Sequence, residues 1–248
     1  MAQFADMPIA PYHMQGVDGR ADWERLAPSV DLAAFHRNTG REVIHAEVGC
    51  YHAHLEAWQM LIDSGAEVGL ILEDDVVFHA DFAQAIRAAL AARGAWDFLK
   101  LNRIRAKVPV AQGQLGPWRL NAYLGPATGL GAYLIRADLA QRLLPRMLPI
   151  TRPIDHELDR SHVHDFRHFG LEPFPSHVDD GGSSTITGTG FDAVRKFPWY
   201  RRLSVHRVRL ANTVGKALHL TRNGRLWPRL GSVLVHDALS DVTASDRS

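Results

Sequence analysis

Three consecutive carboxylates, Glu73-Asp74-Asp75, stand between two apolar runs, Val68-Gly69-Leu70-Ile71-Leu72 and Val76-Val77-Phe78. Two carboxylates about 4 Å apart repel by roughly 4 kcal/mol at an effective dielectric near 20, so the cluster costs stability unless protons or a cation offset it. A divalent metal is the simpler answer. Strand period turns Glu73 and Asp75 to one side and Asp74 to the other, and such an acidic-x-acidic pair can share one metal and nucleotide site. The alternative is a solvated strand end whose carboxylates cap helices. Upstream, Cys50, His52 and His54 are also metal-binding types. On a helix only Cys50 and His54, four apart, share a face, and no complementary ligand pair stands at usual spacing, which argues against structural zinc. Cys50 then reads as a small buried apolar residue, and His54 as a side chain packed or hydrogen-bonded near the site.

The elements that must hold these residues follow from periodicity. Cys50, His54, Ala57, Trp58, Leu61 and Ile62 recur at helical spacing, predicting a helix over about 47–64 that Gly65 stops. The short apolar run 68–72 suits a central strand covered on both faces. That puts Glu73 to Asp75 at its carboxyl end, where open α/β sheets place their ligands. Further along, 81–92 reads as helix, 97–101 as strand, 131–135 as strand and 138–147 as helix. Alternation of this kind favours an α/β fold with a largely parallel sheet. The stretch 173–190, rich in Gly, Ser, Thr and Pro, reads as a long loop.

The 248 residues are 46% hydrophobic and 22% charged, which suits a globular chain with a sizeable core and excludes a disordered tail. Cys50 is the single cysteine, so no intrachain disulfide forms. The first thirty residues lack a signal-peptide pattern, and no run approaches the roughly 18 apolar residues of a membrane span. A cytoplasmic location is expected, with peripheral contact at the cytoplasmic face of the inner membrane. The charge is uneven: between Phe191 and Arg229 ten Lys or Arg face one acidic residue, Asp192. Within that segment Trp199, Leu203, Leu210, Val214 and Leu218 share one helical face, which predicts a basic amphipathic helix. No aromatic interleaving or known module points to nucleic acid. With Trp199, Arg201, Arg202, Arg207 and Arg209, the helix suits an anionic membrane or a phosphorylated glycolipid acceptor; a solvated helix is the alternative.

The run Glu47-Val48-Gly49-Cys50-Tyr51-His52-Ala53-His54-Leu55-Glu56-Ala57-Trp58, followed by Leu70-Ile71-Leu72-Glu73-Asp74-Asp75-Val76, resembles glycosyltransferase family 25, the lipopolysaccharide biosynthesis glycosyltransferases. Its members look like E-x-G-C-x-x-S-H-x-x-x-W … E-D-D. Further matches are Val17-Asp18-Gly19-Arg20, Gly131-Ala132-Tyr133-Leu134-Ile135 and Arg152-Pro153-Ile154-Asp155, in order over about residues 16–190.

The resemblance implies a GT-A-like, Rossmann-type α/β domain over 1–190, with a mixed, mostly parallel sheet and flanking helices; the charge and helical pattern set off a basic, partly helical extension over 191–248. It implies an inverting, metal-dependent transferase that moves a sugar, galactose as the first choice, from a UDP-sugar donor to a lipopolysaccharide or other cell-envelope glycan. Glu73 and Asp75 match the motif that holds Mn²⁺ or Mg²⁺, with His177 as a third ligand or else a plain loop histidine. Donor contacts fall on Asp18, Gly19, His54, Glu73 and Asp74. Asp155 is the candidate base, with Glu157 and Asp159 behind it; a charge at a helix N-terminus is its other reading. Two positions depart from the pattern. The family's opening strand, V-I-N-L-D-R-x-x-x-R, is not found ahead of Val17, so the sheet is expected to lack it, and Ala53 replaces a serine. A non-catalytic relative that binds glycolipid or a partner, and another metal-dependent nucleotide enzyme such as a nucleotidyltransferase, are the rival readings.

Overall fold

The computed structural model describes residues 11–102, 104–179 and 197–232. The helices are α1 (Trp23–Leu26), α2 (Leu32–Thr39), α3 (His45–Asp63), α4 (Phe82–Ala91), α5 (Ala137–Leu143), α6 (Ile154–Leu158), α7 (Ser161–His164) and α8 (Leu203–Arg222). The strands are β1 (Val68–Leu72), β2 (Val76–Phe78), β3 (Phe98–Lys100), β4 (Pro109–Leu115), β5 (Trp118–Tyr123), β6 (Ala132–Arg136), β7 (His168–Glu172) and β8 (Ser176–Val178). Six strands form one sheet in the order β1-β6-β3-β7-β5-β4, and β2 pairs with β8 in a separate ribbon.

Strand alternation divides the interior in two. Along β6, Tyr133 and Ile135 face a core built with Val48, Tyr51, Trp58 and Leu61 of α3 and Leu139 and Leu143 of α5. Ala132 and Leu134 face the opposite core, with Phe82, Ala85, Ile86 and Ala89 of α4 and with Trp96. The buried residues of α3 recur three or four apart, the period of a helix with one face inward. One backbone crossing fixes its N-terminal end. A Cβ on Gly19 would lie 1.8 Å from the His45 carbonyl oxygen, and one on Gly49 would lie 2.3 Å from the Val17 carbonyl oxygen. The two glycines thus let the segment at Val17–Gly19 lie directly on α3.

Three expectations need correction. The sheet is mixed, but only the β3–β7 pairing among its five is parallel. The β1–α4–β3 unit does leave β1 and β3 pointing the same way; β6, which returns through the helix-free β4–β5 hairpin, inserts antiparallel between them. Local alternation of strand and helix cannot register an insertion made from thirty residues away. Second, β1 is an edge strand and not a central one. Its apolar run still fits, because Ile71 packs on one core while Val68, Leu70 and Leu72 pack on the other. Third, Glu73 to Asp75 lie in a turn between β1 and β2, closed by the Val76 N–H on the Glu73 carbonyl oxygen at 3.4 Å. Strand period therefore does not decide which way these three side chains point.

The expected loop at 173–190 contains strand β8, which carries His177; positions 180–190 lie outside the described residues. The predicted basic helix is present as α8, entered through a 3₁₀ turn at Trp199–Arg202. Its inward residues are Val205, Lys216 and Leu220. Leu203, Leu210, Val214 and Leu218 are 48–67% exposed, and Trp199 and Trp227 more than 75%. Among the described residues, no helix is long and apolar enough to cross a membrane.

Candidate active site

One end of the sheet gathers the groups of interest. Glu73 leaves β1 there, Thr128 to Gly131 lead into β6, and Leu101 and Asn102 follow β3. The Glu73 N–H donates to the Gly131 carbonyl oxygen at 2.7 Å, and the Asn102 side-chain oxygen accepts from the Ala132 N–H at 3.2 Å. From α3, His54 reaches the same place: Nε2 lies 3.4 Å from Glu73 Oε1, and Nδ1 lies 2.9 Å from the Tyr133 hydroxyl. Potential ligand atoms of Cys50, His54 and Glu73 all lie within 4.8 Å of one another.

The electrostatics centre on Cys50. Burial, and then the charges of Glu73, Asp155, Glu47 and Asp75, push its thiol above the ordinary cysteine range. Four carboxylates from three segments, with Glu47 paired to Arg41, therefore act on this thiol. This is an environment that favours a hard cation with oxygen ligands, and Glu73 and Asp75 fit that requirement. His52 does not join them; its Nε2 lies 2.9 Å from the Ser29 hydroxyl oxygen.

Asp155, near the start of α6, accepts from the His156 N–H at 2.8 Å through Oδ1 and from the Gly129 N–H at 3.0 Å through Oδ2. A carboxylate has about four lone-pair sites, so room remains for a hydroxyl. Gly129 needs to be glycine because its φ is +88°. Its carbonyl oxygen, with that of Thr128, accepts from Lys100 Nζ. Lys100 is wholly buried; desolvation lowers its pKa to about 8 against the opposing pull of Asp155, Asp159 and Glu73. Sequence reasoning missed this lysine. Its place in the apolar run Phe98-Leu99-Lys100-Leu101 was the available signal.

The remaining predicted residues make further contacts of their own. Glu157 is buried, with Oε1 2.7 Å from His164 Nε2 and 2.8 Å from Arg160, and Oε2 2.8 Å from Arg152 Nε. Burial raises its pKa, but the His164 hydrogen bond and the charges of Arg160 and Arg152 outweigh that and leave it below the usual range. The sign follows: the stabilisation is present at neutral pH and is lost as the pH falls through the folded-state value. Removing one partner of a buried charge network costs about 3–5 kcal/mol. Glu157→Gln should therefore lower the melting temperature by at least about 6 °C, at 2–4 °C per kcal/mol for this size. Differential scanning calorimetry tests this, and an unchanged midpoint would refute it.

Asp159 is also buried, accepting from the Ala127 N–H at 2.8 Å and from Lys216 Nζ of α8. Asp18 is exposed and closes a local turn through the N–H groups of Arg20 and Ala21. Asp74 and Asp75 are exposed. His177 is exposed on β8, its Nδ1 2.9 Å from His79 Nε2, while the Asp179 N–H donates to the Asp75 carbonyl oxygen at 2.9 Å. The end of β8 thus runs beside the acidic turn. Trp199, Arg202, Arg207 and Arg209 lie on or beside α8; the side chain of Arg201 lies outside the described residues.

The family description Glycosyltransferase family 25 (LPS biosynthesis protein) matches residues 13–158, more than half of the chain, and spans Glu73 to Asp75, His54 and Asp155. The chain belongs to glycosyltransferase family 25. Among its relatives, procollagen galactosyltransferase 1 of Danio rerio is 26% identical over 179 residues, covering 62% of this chain and 29% of that protein. Procollagen galactosyltransferase 2 of Mus musculus is 25% identical over 209 residues, covering 70% of this chain and 33% of the relative. Inactive glycosyltransferase 25 family member 3 of Homo sapiens is 28% identical over 169 residues, 60% of this chain and 27% of the relative. The match thus spans about a third or less of each of these three family 25 proteins.

Proposed function

We propose that this family 25 chain is a metal-dependent, inverting glycosyltransferase that moves a sugar from a UDP-sugar to a glycan acceptor. Galactose is the favoured sugar, in keeping with the galactosyltransferase names of its relatives. The observation that carries the reading is that one end of the sheet brings together Glu73 of the acidic turn, His54 of α3 beside it, and Asp155, which is tied to the Gly129 N–H just ahead of β6. Bound Mn²⁺ or Mg²⁺ would supply charge neutralisation on the diphosphate leaving group. Glu73 and Asp75 would hold that cation, with His177 as the third ligand. Asp18, Gly19, His54 and Asp74 belong to the donor side. Asp155 takes the proton of the acceptor hydroxyl, fixed in place by the two backbone N–H groups it accepts.

For Asp155→Asn the expected result is a fall in turnover of about 10²–10⁴-fold, the usual range for a general base, with a much smaller change in the donor Michaelis constant. Release of UDP from UDP-galactose in the presence of an acceptor glycan measures both. Turnover within about threefold of wild type would remove the base role from Asp155. Nucleoside triphosphate turnover in place of UDP release would favour a nucleotidyltransferase. The inactive family 25 member 3 of Homo sapiens among its relatives supports a second reading, binding of a glycolipid without transfer. Donor binding with no UDP release from any tested acceptor would favour it.

The acceptor is taken to be a cell-envelope glycan on a lipid anchor, met at the cytoplasmic membrane face through α8. Supporting this are the exposed apolar stripe of α8, the exposed Trp199 and Trp227, and a described segment 197–232 with eight Lys or Arg and no Asp or Glu.

A further inference from the structure

We propose that Tyr133 and His54 are positioning residues: the Tyr133 hydroxyl sets the tautomer of His54, and His54 in turn holds Glu73 for the donor complex. The inference rests on the reading of Glu73 as a donor-site and metal-site residue.

The number of protons available fixes the direction of each hydrogen bond. Trp58 Nε1 can only donate, and its one partner is the Tyr133 oxygen, 2.9 Å away. Tyr133 and Trp58 are fully buried and His54 is 5% exposed. The Tyr133 proton must therefore go to a protein acceptor, since leaving a buried polar group unpaired is strongly unfavourable. His54 Nδ1, 2.9 Å from the hydroxyl oxygen, is that acceptor. If Nδ1 accepts, the ring carries its proton on Nε2, the nitrogen that faces Glu73 Oε1 at 3.4 Å. Every group then donates to the next, from Trp58 to Tyr133 to His54, and the chain ends on the one anion in it. Glu73 keeps its second oxygen for the cation and donor.

The competing arrangement makes His54 Nε2 a metal ligand beside Cys50 and Glu73, whose ligand atoms are close enough to suggest it. That arrangement moves the ring proton to Nδ1, where it faces an oxygen that already accepts from Trp58. It also strands the Tyr133 proton. The hydrogen-bond count favours a histidine that donates to Glu73.

Mn²⁺-dependent binding of UDP, measured by calorimetry, tests the inference without relying on turnover. Wild type comes first: absence of UDP binding, with or without Mn²⁺, would defeat the donor-site reading itself. Given wild-type binding, Tyr133→Phe should weaken it about tenfold, equal to about 1.4 kcal/mol. Phe98→Leu is the packing control, because Phe98 stacks on the Tyr133 ring at 4.8 Å between centroids and touches none of the hydrogen bonds. It should lower the melting temperature as Tyr133→Phe does and leave UDP affinity within about threefold of wild type. His54→Leu should lose affinity, and His54→Gln, whose amide N–H can still donate to Glu73, should recover most of it. Unchanged affinity in Tyr133→Phe would overturn the inference. So would a parallel loss in Phe98→Leu, which would mark the effect as general destabilisation. If His54→Gln fails as completely as His54→Leu, the ring nitrogen is a metal ligand and the positioning role is wrong; this arm holds even if Tyr133→Phe does not fold.

Discussion

Asp75→Ala is expected to abolish Mn²⁺-dependent UDP binding while the protein stays folded. Asp75 is exposed in the turn between β1 and β2, so its removal creates no cavity, and deleting one of three adjacent carboxylates relieves repulsion. Even outer-shell partners of metal ligands are worth about 10–100-fold in metal affinity, so loss of a direct ligand should cost at least about 100-fold. Titrating UDP with and without Mn²⁺ measures the effect directly. If mutant and wild type show the same metal-dependent affinity, the cation is not held by the acidic turn. If UDP binds wild type equally with and without Mn²⁺, the donor reading survives but its metal dependence does not.

The second large effect concerns α8. Replacing Arg201, Arg202, Arg207 and Arg209 with Gln should release the protein from anionic vesicles. Each cation near such a surface contributes about 1 kcal/mol, so four together amount to roughly a thousandfold in partitioning. Wild type should lose the same binding as salt rises, because the Debye length shortens from about 10 Å at 0.1 M to about 3 Å at 1 M. Neutral vesicles should retain little of it, since Trp199 and Leu203 supply only the apolar part. Transfer to a soluble acceptor fragment should be largely unchanged. A quadruple variant that still sediments with anionic vesicles would rule out α8 as the membrane contact. One that loses activity on the soluble fragment would assign these arginines to the acceptor site.

Elements with strong local periodicity are legible in the amino-acid sequence. Helix α3 falls at 45–63 against an expected 47–64, β1 at 68–72 as expected, and α4 at 82–91 against 81–92. Strand β4 is not legible, because Gln112 and Gly113 break its alternation and the pairing with β5 shifts register there. Strand direction escapes for a different reason: nothing in the residues of β1 or β3 encodes that β6 lies between them. The site divides along the same line. Glu73 to Asp75 declare themselves as contiguous like charges that need an explanation. Lys100 does not, and although Tyr133 and Trp58 fall within the family motifs their roles do not, because each belongs to a residue type whose role depends on what the distant chain brings against it. A lysine among carbonyl oxygens of Thr128 and Gly129 is a tertiary fact. Glu157 shows the converse, a carboxylate next to the site in sequence that folding commits to Arg152, Arg160 and His164.

Lys216 gives α8 a geometric role as well. Its ammonium bonds Asp159 and the Gly125 carbonyl oxygen, and Asp159 also holds the N–H of Ala127. The same short stretch leads to Gly129 and Asp155. A helix fastened in this way is held against the segments that carry Gly129 and Asp155. Were α8 to lie flat on a bilayer, the reacting hydroxyl would have to project from that bilayer by a set height. The chain would then act as a ruler, discriminating among lipid-linked acceptors by the length of glycan standing between anchor and acceptor sugar, independently of which sugars compose it.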